Sequence, residues 1–131
     1  MVTFEPRMYL ISADVGRLKE ARDFADNAAA DFGFDDEVRY QVKLAMSEAV
    51  TNAIQHGSSS SRDEIRLLAL EESGALVFEV FDTGRFRPRV TRRGALPESG
   101  RGLEFMRRVM DEVDLRATAK GTLLRLVKRP P

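Results

Sequence analysis

The residue types and spacings that could do chemistry in this 131-residue chain are concentrated between Gln41 and Gly57, in QVKLAMSEAVTNAIQHG. Projected as a helix at about 100° per residue, Val38, Val42, Ala45, Met46, Ala49, Val50 and Ala53 share one apolar arc. Lys43, Ser47, Thr51 and Gln55 fall on the opposite, wettable face. Glu48 and Asn52 belong to neither group: they stand four residues apart, one turn above the other, at the edge of the apolar arc. His56 continues that line and Gly57 is expected to stop the helix. A carboxylate and a carboxamide at a core edge are costly to desolvate unless something there uses them. Two readings stand at this point. The pair is a polar margin of an amphipathic helix, or Asn52 offers a hard oxygen to Mg²⁺ while Glu48 orients or deprotonates a nucleophile beside it.

Two later stretches bear on that choice. Between Asp82 and Gly100 the chain gathers Arg85, Arg87, Arg89, Arg92 and Arg93 among Gly84, Gly94, Pro88 and Pro97. This reads as a long irregular loop, and a basic one suits anionic ligands. Gly100-Arg101-Gly102 then stands before a helix marked by Leu103, Met106, Val109 and Met110. Glycines at a helix entrance let backbone N–H groups approach an anion that the helix dipole also favours.

The elements that must position these groups follow from the apolar periods. Met8 to Ala13 reads as a strand, and Ser12 or Asp14 offers an N-cap to a helix over 15–32, with Leu18, Ala21, Ala25, Ala28 and Phe32 on one face. Gly33 ends it, and Asp35 or Asp36 caps the helix that carries Glu48. Gly57 to Ser61 is a serine-rich surface loop. Glu64 to Leu70 and Ala75 to Phe81 form a hairpin about Ser73-Gly74. After the third helix, strands from Val113 and from Thr122 to Lys128 flank a turn at Ala119-Lys120-Gly121. The order of helices in runs and antiparallel hairpins predicts an α+β fold. The expectation is a two-layer sandwich with a mixed, mainly antiparallel sheet covered by helices on one face.

Composition narrows the function classes. Lysine plus arginine number 21 and acids 21, and this balance argues against a general nucleic-acid binder. There is no cysteine, hence neither a disulfide framework nor a thiolate metal site. The opening MVTFEPRMYL lacks the apolar run of a signal peptide, and no stretch has the length of a membrane span. The expectation is one domain over 1–131, in the cytoplasm, with no membrane attachment and no direct nucleic-acid contact. A P-loop and the protein-kinase H-R-D and D-F-G motifs are absent from the sequence.

Four segments in this order resemble a known family. SEAVTNAIQHG (Ser47–Gly57), DTGRFRP (Asp82–Pro88), SGRGLEFMRRVMDEVDL (Ser99–Leu115) and GTLLRL (Gly121–Leu126) are similar to the GHKL, or Bergerat-fold, ATPases. Within them the chain resembles the small bacterial anti-sigma factors that double as serine kinases. The resemblance implies the Bergerat sandwich, ATP and Mg²⁺ as cofactors, and protein serine/threonine kinase activity. It makes Glu48 the catalytic carboxylate and Asn52 the Mg²⁺ ligand. It gives Asp82 the adenine amino group, with Gly84 passing close to the base. It places Gly100, Arg101 and Gly102 at the phosphate-facing helix start, and Thr122 at the adenine pocket. The basic loop between Gly84 and Ser99 corresponds to the family's ATP lid. The D-x-G-x-G pattern of the wider superfamily reads Asp82-Thr83-Gly84-Arg85-Phe86 here, without the second glycine. The implied partners are an RNA polymerase sigma factor, an anti-anti-sigma (STAS) protein as phosphoryl acceptor, and a second copy of the chain in a homodimer. Two variants of this reading remain: a nucleotide-binding partner-switching module with little catalysis, and a kinase of a stressosome-like relay without a sigma factor.

Overall fold

The computed structural model describes residues 3–57, 60, 62–83 and 97–131. Strand β1 (Arg7–Ser12) leads through a 3₁₀ turn at Val15–Arg17 into helix α1 (Leu18–Phe32). The Asp14 side chain accepts from the Gly16 N–H and opens that turn. Gly33 closes α1 in the left-handed conformation, φ 103°, which an L side chain rarely adopts. Helix α2 (Asp36–Asn52) starts at Asp35, whose side chain accepts from the Val38 N–H at 3.0 Å. Strands β2 (Glu64–Glu72) and β3 (Ala75–Asp82) follow, then helix α3 (Pro97–Val109) and strands β4 (Glu112–Thr118) and β5 (Gly121–Lys128).

The strands form one sheet in the order β1-β2-β3-β5-β4. Every pairing among the described residues is antiparallel. Strands β3 and β4, joined through α3, point the same way, but β5 returns between them, so no parallel ladder forms. The helices cover one face. Ile65, Leu67, Leu76, Phe78, Val80, Leu124 and Leu126 from the strands share a single core with Ala21, Ala25, Ala28, Val42, Met46, Val50 and Met106 from the helices. The four fully buried alanines of α1 (Ala21, Ala25, Ala28, Ala29) present little bulk, which lets α1 and α2 lie close together. A small cluster of Ala75, Val77 and Val127 with Leu70 lies on the other face of the sheet. This is the two-layer α+β sandwich that the pattern of elements predicts. No helix among the described residues is long and apolar enough to cross a membrane.

Two boundaries beside the candidate site differ from the sequence reading. The α-helical part of α2 ends at Asn52, and the expected run to Gly57 is a wider π-turn at Ala53–Gly57. Two residues before it the Thr51 hydroxyl donates to the Ser47 carbonyl at 2.7 Å, a back-bond that competes with the helical ladder. Helix α3 begins at Pro97 and not after Gly102, so Gly100, Arg101 and Gly102 lie inside it. Proline is favoured in a first helical turn because its missing N–H is not needed there.

Candidate functional site

The apolar arc read for α2 is the face it buries. Val42, Ala45, Met46, Ala49 and Val50 are buried, Ala53 follows at 6% exposure, and Val38 packs at the margin. The face expected to be wet is half-covered at Lys43, Ser47 and Thr51. Arg22 of α1 reaches across to donate to the Ser47 hydroxyl at 3.5 Å. Glu48 and Asn52 are half-buried at the border between the two faces. They turn toward α3 and meet it at Gly102. A β-carbon built on Gly102 would stand 3.2 Å from Glu48 Oε2 and 3.6 and 3.7 Å from Asn52 Oδ1 and Nδ2. The pair recognised by helical spacing is thus brought against the buried glycine of the third motif.

A second group forms at the end of the sheet. Asp82 closes β3 and pairs in register with Thr122 of β5 on one side and Ile65 of β2 on the other. Asp82 follows Phe78 and Val80 at two-residue spacing and so shares their helix-facing side. It is 2% exposed and Thr122 6%, the buried polar or charged residues among those described. The Thr122 hydroxyl has no hydrogen-bond partner among the described residues. A buried hydroxyl left in that state is costly, so this end of the sheet fits a ligand that supplies the missing bond.

Gly121 is the residue here that motif spacing missed. Its φ is +152°, and a β-carbon would overlap the Asp82 carbonyl oxygen and stand 3.0 Å from the Thr83 Cα. The turn before it is held by Thr118, whose Oγ1 donates to the Gly121 carbonyl at 2.8 Å and accepts from the Lys120 and Gly121 N–H groups. The sequence offered a turn ending in glycine and the start of the GTLLRL segment, without a role for Gly121; that β3 passes so close is a property of the sheet. The two groups adjoin through the π-turn after Asn52, which packs against β3 and β5.

The structure therefore brings Glu48, Asn52 and Gly102 together, and sets Asp82 beside Thr122. Gly100 and Arg101 are placed in α3 by their backbone only, and Gly84 with the basic loop over 84–96 lies outside the described residues, as does the His56 side chain. Among the described residues no cluster of three or more His, Cys, Asp or Glu side chains forms a metal site. A metal held at Asn52 would draw its other ligands from phosphate and water, as Mg²⁺ does at phosphoryl-transfer sites.

Known proteins are similar to this chain. The family model described as the histidine kinase-like ATPase domain matches residues 11–128. The anti-sigma F factor of Thermoanaerobacter sp. (strain X514) is 34% identical over 96 residues, covering 66% of this chain and 67% of its own. That of Clostridium acetobutylicum is 35% identical over 97 residues, covering 67% and 68%. Among solved structures, the RsbU and RsbW domains of a Mycobacterium tuberculosis protein align with a TM-score of 0.73 at 22% identity. The match covers 97% of this chain and 33% of that one, so this chain spans about a third of its length. The histidine kinase domain of a blue-light-activated kinase from Erythrobacter litoralis EL346 aligns with a TM-score of 0.56 at 20% identity, covering 90% and 61%. At these identities the structural likeness speaks for the fold.

Proposed function

The chain belongs to the histidine kinase-like ATPase (GHKL) family, and from that premise we propose that it is an anti-sigma factor with ATP-dependent protein serine kinase activity. The observation that carries this reading is the meeting of Glu48 and Asn52 against Gly102, a carboxylate and a carboxamide oxygen held together at the edge of the core. The anti-sigma F factors among its relatives supply the biological context.

Each residue has a task in this reading. Asp82 accepts from the exocyclic amine of adenine: an ionised carboxylate can only accept, so it selects an amine over the carbonyl that guanine presents. Thr122 completes the same pocket with its buried hydroxyl. Asn52 holds Mg²⁺ through its Oδ1, and the metal, when bound, neutralises phosphate charge. Glu48 takes the proton from the acceptor serine as the serine oxygen bonds to the γ-phosphorus. The bond from that phosphorus to the β–γ bridging oxygen breaks, and ADP carries the electron pair away. Positioning and charge neutralisation dominate such transfers, so a small set of side chains suffices. The acceptor is a serine of an anti-anti-sigma STAS protein, the sequestered partner is a sigma factor, and the chain works as a homodimer of one ATPase domain per protomer.

The test is reconstitution. The purified chain is mixed with radiolabelled ATP, Mg²⁺ and the STAS protein of its host, while sigma-factor capture is read on the same preparation. Label on a STAS serine together with sigma capture is the expected result. Capture with no label on the STAS protein would favour the partner-switching module with little catalysis. Label without capture of any sigma factor would favour the relay kinase.

A further inference from the structure

We propose that Gly102 is a positioning residue for phosphoryl transfer: by lacking a side chain it admits the Glu48 carboxylate between α2 and α3 and fixes where that carboxylate stands. The inference rests on Glu48 acting as the base, as set out above. Three observations support it. A β-carbon at Gly102 would lie 3.2 Å from Glu48 Oε2, closer than a carbon ordinarily sits to a neighbour, with Asn52 just behind at 3.6 and 3.7 Å. Gly102 is buried, so the added group has no solvent to move into. Gly102 is also inside α3, which begins at Pro97. Only the first four N–H groups of a helix are left without an intrahelical partner, and Gly102 is the sixth residue of α3, beyond them. What the glycine leaves open here is the space that Glu48 enters.

The nearest atom is the far end of a flexible, half-buried side chain. A methyl group at position 102 would be accommodated by a shift of the carboxylate, and the fold would be spared. Alanine is moreover the better helix former, so Gly102→Ala should leave the melting temperature unchanged or raised. The displaced carboxylate loses part of its alignment with the acceptor hydroxyl, and since a misplacement of about 1 Å can cost about 10²-fold, a smaller shift should still slow the transfer measurably.

The experiment compares wild type, Gly102→Ala, Glu48→Gln and the double variant by thermal melting, ATP titration and single-turnover transfer to the STAS protein. Gly102→Ala should melt no lower than wild type, bind ATP within about twofold, and transfer phosphate at least about tenfold more slowly. In the Glu48→Gln background the same substitution should cost nothing further, because the group it displaces is already disabled. Transfer by Gly102→Ala at the wild-type rate overturns the inference. So does a loss of ATP affinity that accounts for the slower transfer, since the glycine would then serve the nucleotide. If Glu48→Gln itself transfers normally, the assignment of Glu48 fails and takes this inference with it, an outcome distinct from the other two.

Discussion

Asp82 and Thr122 stand opposite each other at the end of β3 and β5, forty residues apart in sequence and nearly free of solvent contact. In the proposed adenine pocket Asp82→Asn keeps the shape and adds a donor where an acceptor is called for, so ATP affinity should fall by about 1–3 kcal/mol. Wild-type protein should bind ATP more tightly than GTP in a calorimetric titration, and equal affinities would contradict the role given to Asp82. At this scale part of the candidate site's arrangement was legible. Glu48 and Asn52 declared themselves because helical period alone puts them at the rim of an apolar arc. Asp82 and Thr122 were reached through motif resemblance, since nothing local to either residue reveals that they are neighbours. The closeness of Gly102 to Glu48 and of Gly121 to Asp82 was not legible, because each depends on how two separate elements approach.

The elements that hold these residues are tied together by specific contacts between α1 and α2. Arg39 donates through Nε and Nη2 to the two carboxylate oxygens of Asp26, at 2.9 and 3.2 Å. The hydrogen bond from Arg39 holds the Asp26 carboxyl below the usual aspartate range. A carboxyl lowered by folding contributes stability above its unfolded value of about 3.9, and that contribution is lost as the pH falls through the folded value. Asp26→Asn should therefore melt below wild type near neutral pH, with the gap closing below about pH 4, as read by melts across pH. The N-cap of α2 gives a second prediction: Asp35→Ala should lower unfolding stability by about 1 kcal/mol in urea titrations. Caps were readable because Gly33 and Asp35 bracket a single residue, Phe34, in the short link between the two helices. Helix limits were less so. The π-turn after Asn52 leaves no sequence mark stronger than Thr51, and the start of α3 was drawn to two glycines when Pro97 was the better signal.

Across the molecule, one sheet backed by three helices brings four sequence-distant segments to one end of the sandwich. The order of elements was enough for that architecture, because helices in runs must pack on one face of hairpin-built strands. It was not enough for the strand order, in which β5 inserts between β3 and β4 and so sets Thr122 beside Asp82. Ligand binding at a site assembled from several elements stabilises all of them together. Mg²⁺-ATP at about a hundred times its dissociation constant should raise unfolding stability by about 2.7 kcal/mol. If Asn52 holds the metal as proposed, Asn52→Ala should reduce that increment. The most direct measurement of the central claim is single-turnover phosphoryl transfer by Glu48→Gln, with ATP affinity and sigma-factor capture measured alongside. The substitution keeps volume and removes only the basic oxygen. The account predicts transfer slower by about 10²–10⁴-fold with ATP affinity and capture preserved. Transfer at the wild-type rate would contradict it.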